Sequence, residues 1–144
     1  MKKIAVLWRL TWQQRLWALE AFCLLGLTRA ASFWLPFRHL VPHLGAVQQE
    51  SLGMVSPLQA QVSEQIGWIV RAASHYTPWT SNCMAQAMTA KFMLRRRGIH
   101  STLYIGVSKM DALLAGHAWL RVGTRIITGG GALGRYKRVV YFGE

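Results

Sequence analysis

The sequence predicts an α+β domain in which helices precede a small antiparallel sheet. Residues up to about 97 carry apolar side chains at helical spacing, interrupted by prolines, whereas residues after Gly98 alternate between apolar and polar types. A run of helices followed by a run of strands is typical of this class. The chain has 144 residues, a length that fits one domain.

The first helix is expected over residues 12–31, where leucine and tryptophan recur on one stripe. Arg9, Arg15 and Glu20 interrupt the apolar region, which disfavours a membrane-spanning helix or a signal peptide. The small residues at 30–32 resemble a cleavage site and keep export as an alternative. The helix is expected either to be buried against the domain or to lie on a membrane surface. We accordingly expect a cytoplasmic protein, membrane-associated in the second case.

The middle of the chain is divided by prolines. A short helical turn is expected between Pro36 and Pro42, and a loop over residues 45–57. Ser56 followed by Pro57 is typical of a helix N-cap with proline at the first helical position, which predicts a helix over 57–74. We therefore divide the chain into a helical N-terminal extension, residues 1–56, and a core, residues 57–144.

A further helix is predicted to begin at Cys83. Pro78 ends the preceding helix, and Ser81 or Asn82 supplies a capping side chain. The helix is expected to end at the arginines 95–97 and Gly98, because cations favour the last turn and glycine favours the position after it. Four strands are then predicted, over residues 101–107, 116–122, 125–128 and 136–142.

The charge balance indicates an acidic partner. Seventeen Lys and Arg face five Asp and Glu, for a net charge of +12. Such a charge favours an acidic peptide or protein, an anionic membrane or nucleic acid, or else serves solubility alone. We expect no nucleic-acid partner, because the sequence carries no nucleic-acid-binding motif.

The cysteine and histidine pattern predicts neither a disulfide framework nor a metal site. Cys23 lies in an apolar run and is interpreted as a small buried hydrophobe, and Cys83 lies in a different context. A structural zinc site needs more Cys or His at close spacing. Gly129, Gly130 and Gly131 do not form a phosphate-binding motif, so no cofactor is expected.

Cys83 and His117 are the candidate catalytic pair. A thiolate is stabilised at a helix N-terminus, where Cys83 is predicted to lie. His117 falls in a predicted strand, and a helix packed on that sheet can bring an imidazole to the thiol. Each residue alone is more often structural, a core cysteine or a packed histidine.

Four segments occur together in a specific order and spacing. They are Asn82-Cys83-Met84-Ala85-Gln86-Ala87, Leu94-Arg95-Arg96-Arg97-Gly98, Leu103-Tyr104-Ile105-Gly106-Val107 and His117-Ala118-Trp119-Leu120. Over roughly residues 78–142 the chain resembles the transglutaminase-like B protease of lasso-peptide biosynthesis, in the split form without a fused leader-binding domain. The resemblance implies a papain/transglutaminase-like core, in which the nucleophile helix packs on a small antiparallel sheet.

The resemblance implies a leader peptidase for a ribosomally made precursor peptide. A separate small leader-binding protein and an ATP-using cyclase that closes the macrolactam ring are the implied partners. Cys83 is implied as nucleophile and His117 as base and then acid. The backbone N–H of Cys83 is implied as oxyanion donor, assisted by Asn82 or Gln86.

The third catalytic residue is where the sequence departs from that family. An Asp on the strand after the histidine is implied near Thr128 and Gly129, which carry no carboxylate. Asp111, in the loop before His117, is the candidate third member, although a solvated turn residue is the simpler interpretation. A backbone carbonyl or the Thr128 hydroxyl is the alternative, because tautomer control needs only an acceptor.

Two other functions stay open from the sequence. The same residues suit acyl transfer to an amine, as in true transglutaminases. The missing carboxylate also allows a non-catalytic, basic, Trp-rich scaffold that docks a membrane or a cyclase.

Overall fold

In the computed structural model, which describes residues 2–110, 113–131 and 136–144, helices pack on one face of an antiparallel sheet. The helices of these described ranges are α1 (Lys2–Arg9), α2 (Trp12–Trp34), α3 (Phe37–Leu44), α4 (Pro57–Ser74) and α5 (Cys83–Arg95). The strands are β1 (Ala46–Val47), β2 (Thr102–Met110), β3 (Leu113–Val122), β4 (Arg125–Thr128) and β5 (Lys137–Gly143). The predicted α+β order is confirmed.

Capping side chains set the starts of the three longest helices. Thr11 opens α2 and Ser56 opens α4, each through a capping box, and Asn82 opens α5. The predicted bounds of α4 and the predicted start of α5 are confirmed. α2 runs three residues past the predicted end, and α1 precedes it as a separate helix.

The predicted helical turn between Pro36 and Pro42 is present, but it is longer than predicted. α3 continues through Pro42 to Leu44. Leu40 and Leu44 are both buried in the core, and they lie one turn apart on the same side of the helix. Their burial stabilises a short helix that the proline alone would interrupt.

The sheet has the order β1-β5-β2-β3-β4, with every neighbouring pair antiparallel. The four predicted strands are confirmed, three of them shifted or lengthened by one to three residues at an end. β1 was missed, because it has only two residues, and both are exposed. The register between β3 and β4 shifts between Leu120 and Arg121, where Ile127 is the extra residue on β4.

The two faces of the sheet are different. Leu103, Leu120 and Phe142 belong to the apolar core that also contains α5. Tyr104 and Trp119 alternate with these residues and stack on each other on the opposite face. The sheet therefore has one face covered by helices and one aromatic face.

α5 is the central helix of the domain. Its buried residues occur all around the helix, including Ala85, Met88 and Leu94. α2 packs behind it, where Thr28 Oγ1 donates to the carbonyl of Ala85 at 3.3 Å. The N-terminal helices thus contribute to the same core, and the division of the chain at residue 56 stays a prediction.

The arginines at the end of α5 make ion pairs within the chain. Arg96 and Arg97 contact Glu20 of α2 at 2.8 and 2.7 Å, and Arg95 contacts Glu144 at 2.7 Å. These contacts fix α2 and the last residue of the chain against the C-terminal end of α5.

Candidate functional site

Cys83 is the first residue of the central helix. The Oδ1 atom of Asn82 accepts a hydrogen bond from the backbone N–H of Ala85 at 3.0 Å, which caps the helix. The thiol is half-buried and packs against the core. The N–H groups of the first helical turn have no partner one turn earlier in the helix. The helix start therefore offers a backbone donor and a favourable field to an anion beside the thiol.

Asn82 and Gln86, the predicted oxyanion assistants, each have a structural hydrogen bond. The oxygen of the Asn82 side chain is used in capping, and Gln86 Nε2 donates to the carbonyl of Ser81 at 2.9 Å. Ser81 is held in turn by a 2.7 Å hydrogen bond between its hydroxyl and that of Thr77. These bonds order the turn before Cys83, and the oxyanion role of both side chains stays a prediction.

His117 lies on β3 and is held by a backbone carbonyl. Its Nε2 atom lies 2.6 Å from the carbonyl oxygen of Gly129, just after β4. A carbonyl only accepts hydrogen bonds, so Nε2 carries the proton and Nδ1 of the neutral ring is left to accept one. This arrangement fixes the ring in one tautomer, which a general base requires.

The backbone conformation of Gly129 allows this contact. Its φ of 75° lies in the left-handed region, and a Cβ atom there would lie 2.4 Å from the carbonyl oxygen of Ala118. Only glycine fits such a position without strain. The glycine run, which the sequence did not link to His117, thus supplies its acceptor.

The three candidates for the third catalytic member, which would orient the His117 ring, differ in where the structure places them. Asp111 lies outside the described residues. The Thr128 hydroxyl is buried and has no hydrogen-bond partner, so it does not bind His117. The backbone carbonyl, the remaining alternative, is the acceptor observed.

An aromatic column runs across the outer face of the sheet and includes His117. Trp119 stacks on Tyr104 with ring centroids 5.5 Å apart, and His117 lies 5.9 Å from Trp119 and 4.8 Å from Tyr136. At Gly106 a Cβ atom would lie 2.8 Å from the Trp119 ring, so the missing side chain lets the indole lie against β2. The rings restrict the imidazole on two sides.

A polar network surrounds the other end of this column, and no sequence pattern predicted it. The Tyr104 hydroxyl donates to Glu50 at 2.8 Å and accepts from Arg121 at 2.9 Å. The hydrogen bond from Tyr104, with Arg121 and Arg138 nearby, lowers the pKa of Glu50. Burial, followed by the bond to Glu50, raises the pKa of Tyr104. The network fixes the loop that contains Glu50 against the sheet.

The two side chains do not hydrogen-bond to each other. Strand alternation places Ala118 on the face packed against α5, and His117 on the face of Trp119. In the described part of the chain the ring nitrogen bonds to Gly129, and no hydrogen bond joins it to Cys83. The structure thus brings the two residues onto adjoining elements without forming the catalytic pair.

No group of three or more metal-ligating side chains is assembled among the described residues. The chemistry that the site offers is that of a thiol at a helix start and an oriented imidazole on the neighbouring strand.

Comparison with known proteins places this chain in a family. The family model described as the transglutaminase-like superfamily matches residues 23–141, which include both Cys83 and His117. No curated protein and no solved structure gives a significant match. The superfamily consists generally of cysteine peptidases and acyltransferases, and its α+β core agrees with the fold described above. The chain belongs to the transglutaminase-like superfamily.

Proposed function

We propose that this protein is a cysteine peptidase that removes the leader from a lasso-type precursor peptide. The observation that carries the proposal is the oriented imidazole of His117. Its Nε2 atom binds the Gly129 carbonyl, and its strand, β3, lies beside the helix that begins at Cys83. The order and spacing of the four segments given above support the substrate class. The proposed partners are the precursor peptide, a small leader-binding protein and a cyclase.

In the proposed reaction the Cys83 thiol loses its proton to His117, and the sulfur attacks the scissile carbonyl. The tetrahedral oxyanion is bound by the backbone N–H of Cys83. His117 then protonates the leaving amine, which releases one peptide and leaves a thioester on Cys83. His117 next takes a proton from water, the resulting hydroxide attacks the thioester, and the free acid and thiol are released.

The proposal requires Cys83 and His117 to approach each other when substrate binds. Catalytic hydrogen bonds are often long in substrate-free enzymes and shorten in the complex. α5 packs on one face of the sheet and the His117 side chain lies on the other, so the approach needs a rearrangement of β3 around His117 and not of side chains alone.

Cleavage of a precursor peptide tests the function. Mass spectrometry of the products should show hydrolysis by the wild type with its leader-binding partner present. Cys83→Ala and His117→Ala should each abolish hydrolysis while the circular dichroism spectrum is unchanged. Cys23→Ser is the matched control, because Cys23 is also a free thiol but lies on α2. Hydrolysis retained by Cys83→Ala would exclude the proposal.

Thiol reactivity tests the coupling of the two residues without any substrate. In the Cys23→Ser background, the rate of alkylation by iodoacetamide is measured from pH 5 to 9. If the imidazole activates the thiol, His117→Ala should slow alkylation at pH 6.5 by about tenfold. An identical pH profile in both variants would favour the non-catalytic scaffold.

Acyl transfer to an amine is the second candidate, because the superfamily also contains acyltransferases. The thioester would then react with an amine instead of water. Addition of a primary amine to the assay distinguishes the two, because transfer gives a product that carries the amine and hydrolysis gives the free acid.

A further inference from the structure

Helix α2 carries a continuous apolar stripe on its exposed side. The α2 stripe consists of Trp12, Leu16, Leu19, Cys23, Leu27 and Trp34. The prediction that Cys23 is buried was wrong, because Cys23 lies on the side of α2 that faces away from the domain. The spacing of three, four or seven residues puts all six on one side of the helix, along about 33 Å. Trp12 is 73% exposed, Leu27 65% and Trp34 77%. Such a stripe is far more apolar than a solvated helix face requires.

The opposite side of α2 is fixed to the domain. Ala21, Leu25 and Thr28 are buried there. In the described residues α2 alone has the length and composition of a membrane-crossing helix, with a mean hydropathy of 1.3. Its attachment to α4 and α5 favours a helix that lies along a membrane over one that crosses it.

Positive charge surrounds the stripe. Arg9 and Arg38 are exposed beyond its two ends, and Arg96, 70% exposed, lies along one side. The one carboxylate in the sequence of α2, Glu20, is only 15% exposed and pairs with Arg96 and Arg97. The surface around the stripe is therefore cationic.

An apolar groove opens beside the stripe. It lies between α1, α2 and α4, has a volume of about 400 Å³ and is lined by Leu10, Leu19, Phe22 and Trp68, among others. Arg15 lies at the groove as a cation beside an otherwise apolar lining. This combination suits an acyl chain below an anionic headgroup.

We propose that the α2 stripe binds the surface of an anionic membrane, with α2 lying parallel to the bilayer. Tryptophans at both ends of an apolar helix face, with arginines around it, are typical of an interfacial helix. A second copy of this chain is a poor occupant, because two stripes placed face to face would bring the same cations together at a net charge of +12 each.

Vesicle binding tests the proposal on the full chain. The wild type should co-sediment with vesicles of phosphatidylglycerol and phosphatidylcholine, and much less with phosphatidylcholine alone. Leu16→Glu and Leu27→Glu should each weaken partitioning by about tenfold, because each removes an apolar contact and adds a negative charge. Leu52→Glu is the matched control, since Leu52 is 83% exposed but lies off the stripe.

Cys23 supplies a direct probe of the stripe. An environment-sensitive dye attached to Cys23 in the Cys83→Ala variant should shift to shorter emission wavelength on anionic vesicles, and 0.5 M salt should weaken that binding. Equal partitioning of Leu27→Glu and Leu52→Glu would overturn the proposal. The proposal would also be overturned if light scattering showed that the wild type is a dimer, that Leu27→Glu dissociates it, and that the wild type does not bind vesicles. Because the test does not use catalysis, it is independent of the proposed peptidase activity.

Discussion

Lys91 makes the stability of this domain depend on pH in an unusual direction. Its ammonium group is fully buried, 2.7 Å from the carbonyl oxygen of Ser101 and 3.3 Å from Glu144. Burial lowers the pKa of Lys91 to about 8 from 10.5, although Glu144 opposes the change. The folded state therefore loses this proton at a lower pH than the unfolded state does.

The sign of the effect follows from the protons bound. Between pH 8 and 10.5 the unfolded chain binds more protons at Lys91, so the free energy of unfolding rises with pH. Below pH 8 the buried charge costs about 3 kcal/mol relative to a fully deprotonated lysine. As the pH rises from 7 to 9.5, loss of the Lys91 proton should remove about 2 kcal/mol of this cost and so raise the free energy of unfolding by that amount.

The perturbation is Lys91→Met, which keeps the length of the side chain and removes the charge. Urea unfolding of both proteins, followed by circular dichroism at pH 7 and 9.5, gives the difference in unfolding free energy at each pH. Between pH 7 and 9.5 the unfolding free energy of wild type should increase by about 2 kcal/mol relative to that of Lys91→Met. Lys137→Met, at an exposed position on β5, should show no such pH-dependent difference from wild type. If the unfolding free energy of wild type relative to Lys91→Met is constant or decreases as pH rises, the reasoning is refuted.

Three further predictions concern the region between His117 and the end of the chain. Gly129→Ala should lose about 1–3 kcal/mol in urea unfolding and most precursor cleavage, because a side chain at its positive φ displaces the carbonyl bound to His117. Thr128→Val should keep wild-type cleavage and unfold at equal or higher urea concentration, since its hydroxyl is buried without a partner; lost cleavage would show that the hydroxyl has a role. Burial acts to raise the pKa of Glu144, but Lys91 and Arg95 outweigh it and the pKa is lowered, so the stabilisation from Glu144 is lost as pH falls below about 4.5. The unfolding free energy of Glu144→Gln should therefore depend less on pH between 5 and 3 than that of wild type.

The sequence predicts the order of the elements well because local signals set their boundaries. Ser56 with Pro57, and Asn82 before Cys83, each cap a helix at the position where the structure begins it. Gly123 at positive φ closes the short turn between β3 and β4, at a glycine that lies between two predicted strands. These features depend on side chains within a few residues of one another, which a sequence displays directly.

Features that depend on tertiary contacts were not predictable in the same way. α3 passes through Pro42 because Leu40 and Leu44 find a core that only the folded chain provides. Lys91 is buried in the middle of α5, where its charge alone predicts a solvated position. It tolerates burial because Ser101 and Glu144 come to it from other parts of the chain.

The acceptor for His117 shows why the third catalytic position resists prediction from sequence. Every residue has a carbonyl, so no residue type signals which carbonyl will face an imidazole. A requirement for a carboxylate predicts Asp111, which lies outside the described residues, whereas the acceptor observed for Nε2 belongs to Gly129. A carbonyl can fix the tautomer, but it is neutral and so stabilises an imidazolium less than a carboxylate does. If this chain is a peptidase, the thiolate of Cys83 must then depend more on the N-terminus of α5 than in a carboxylate triad. Under the proposed function, the turn before Cys83, which the hydrogen bonds of Asn82 and Gln86 hold in place, would then help to position the thiolate at that N-terminus.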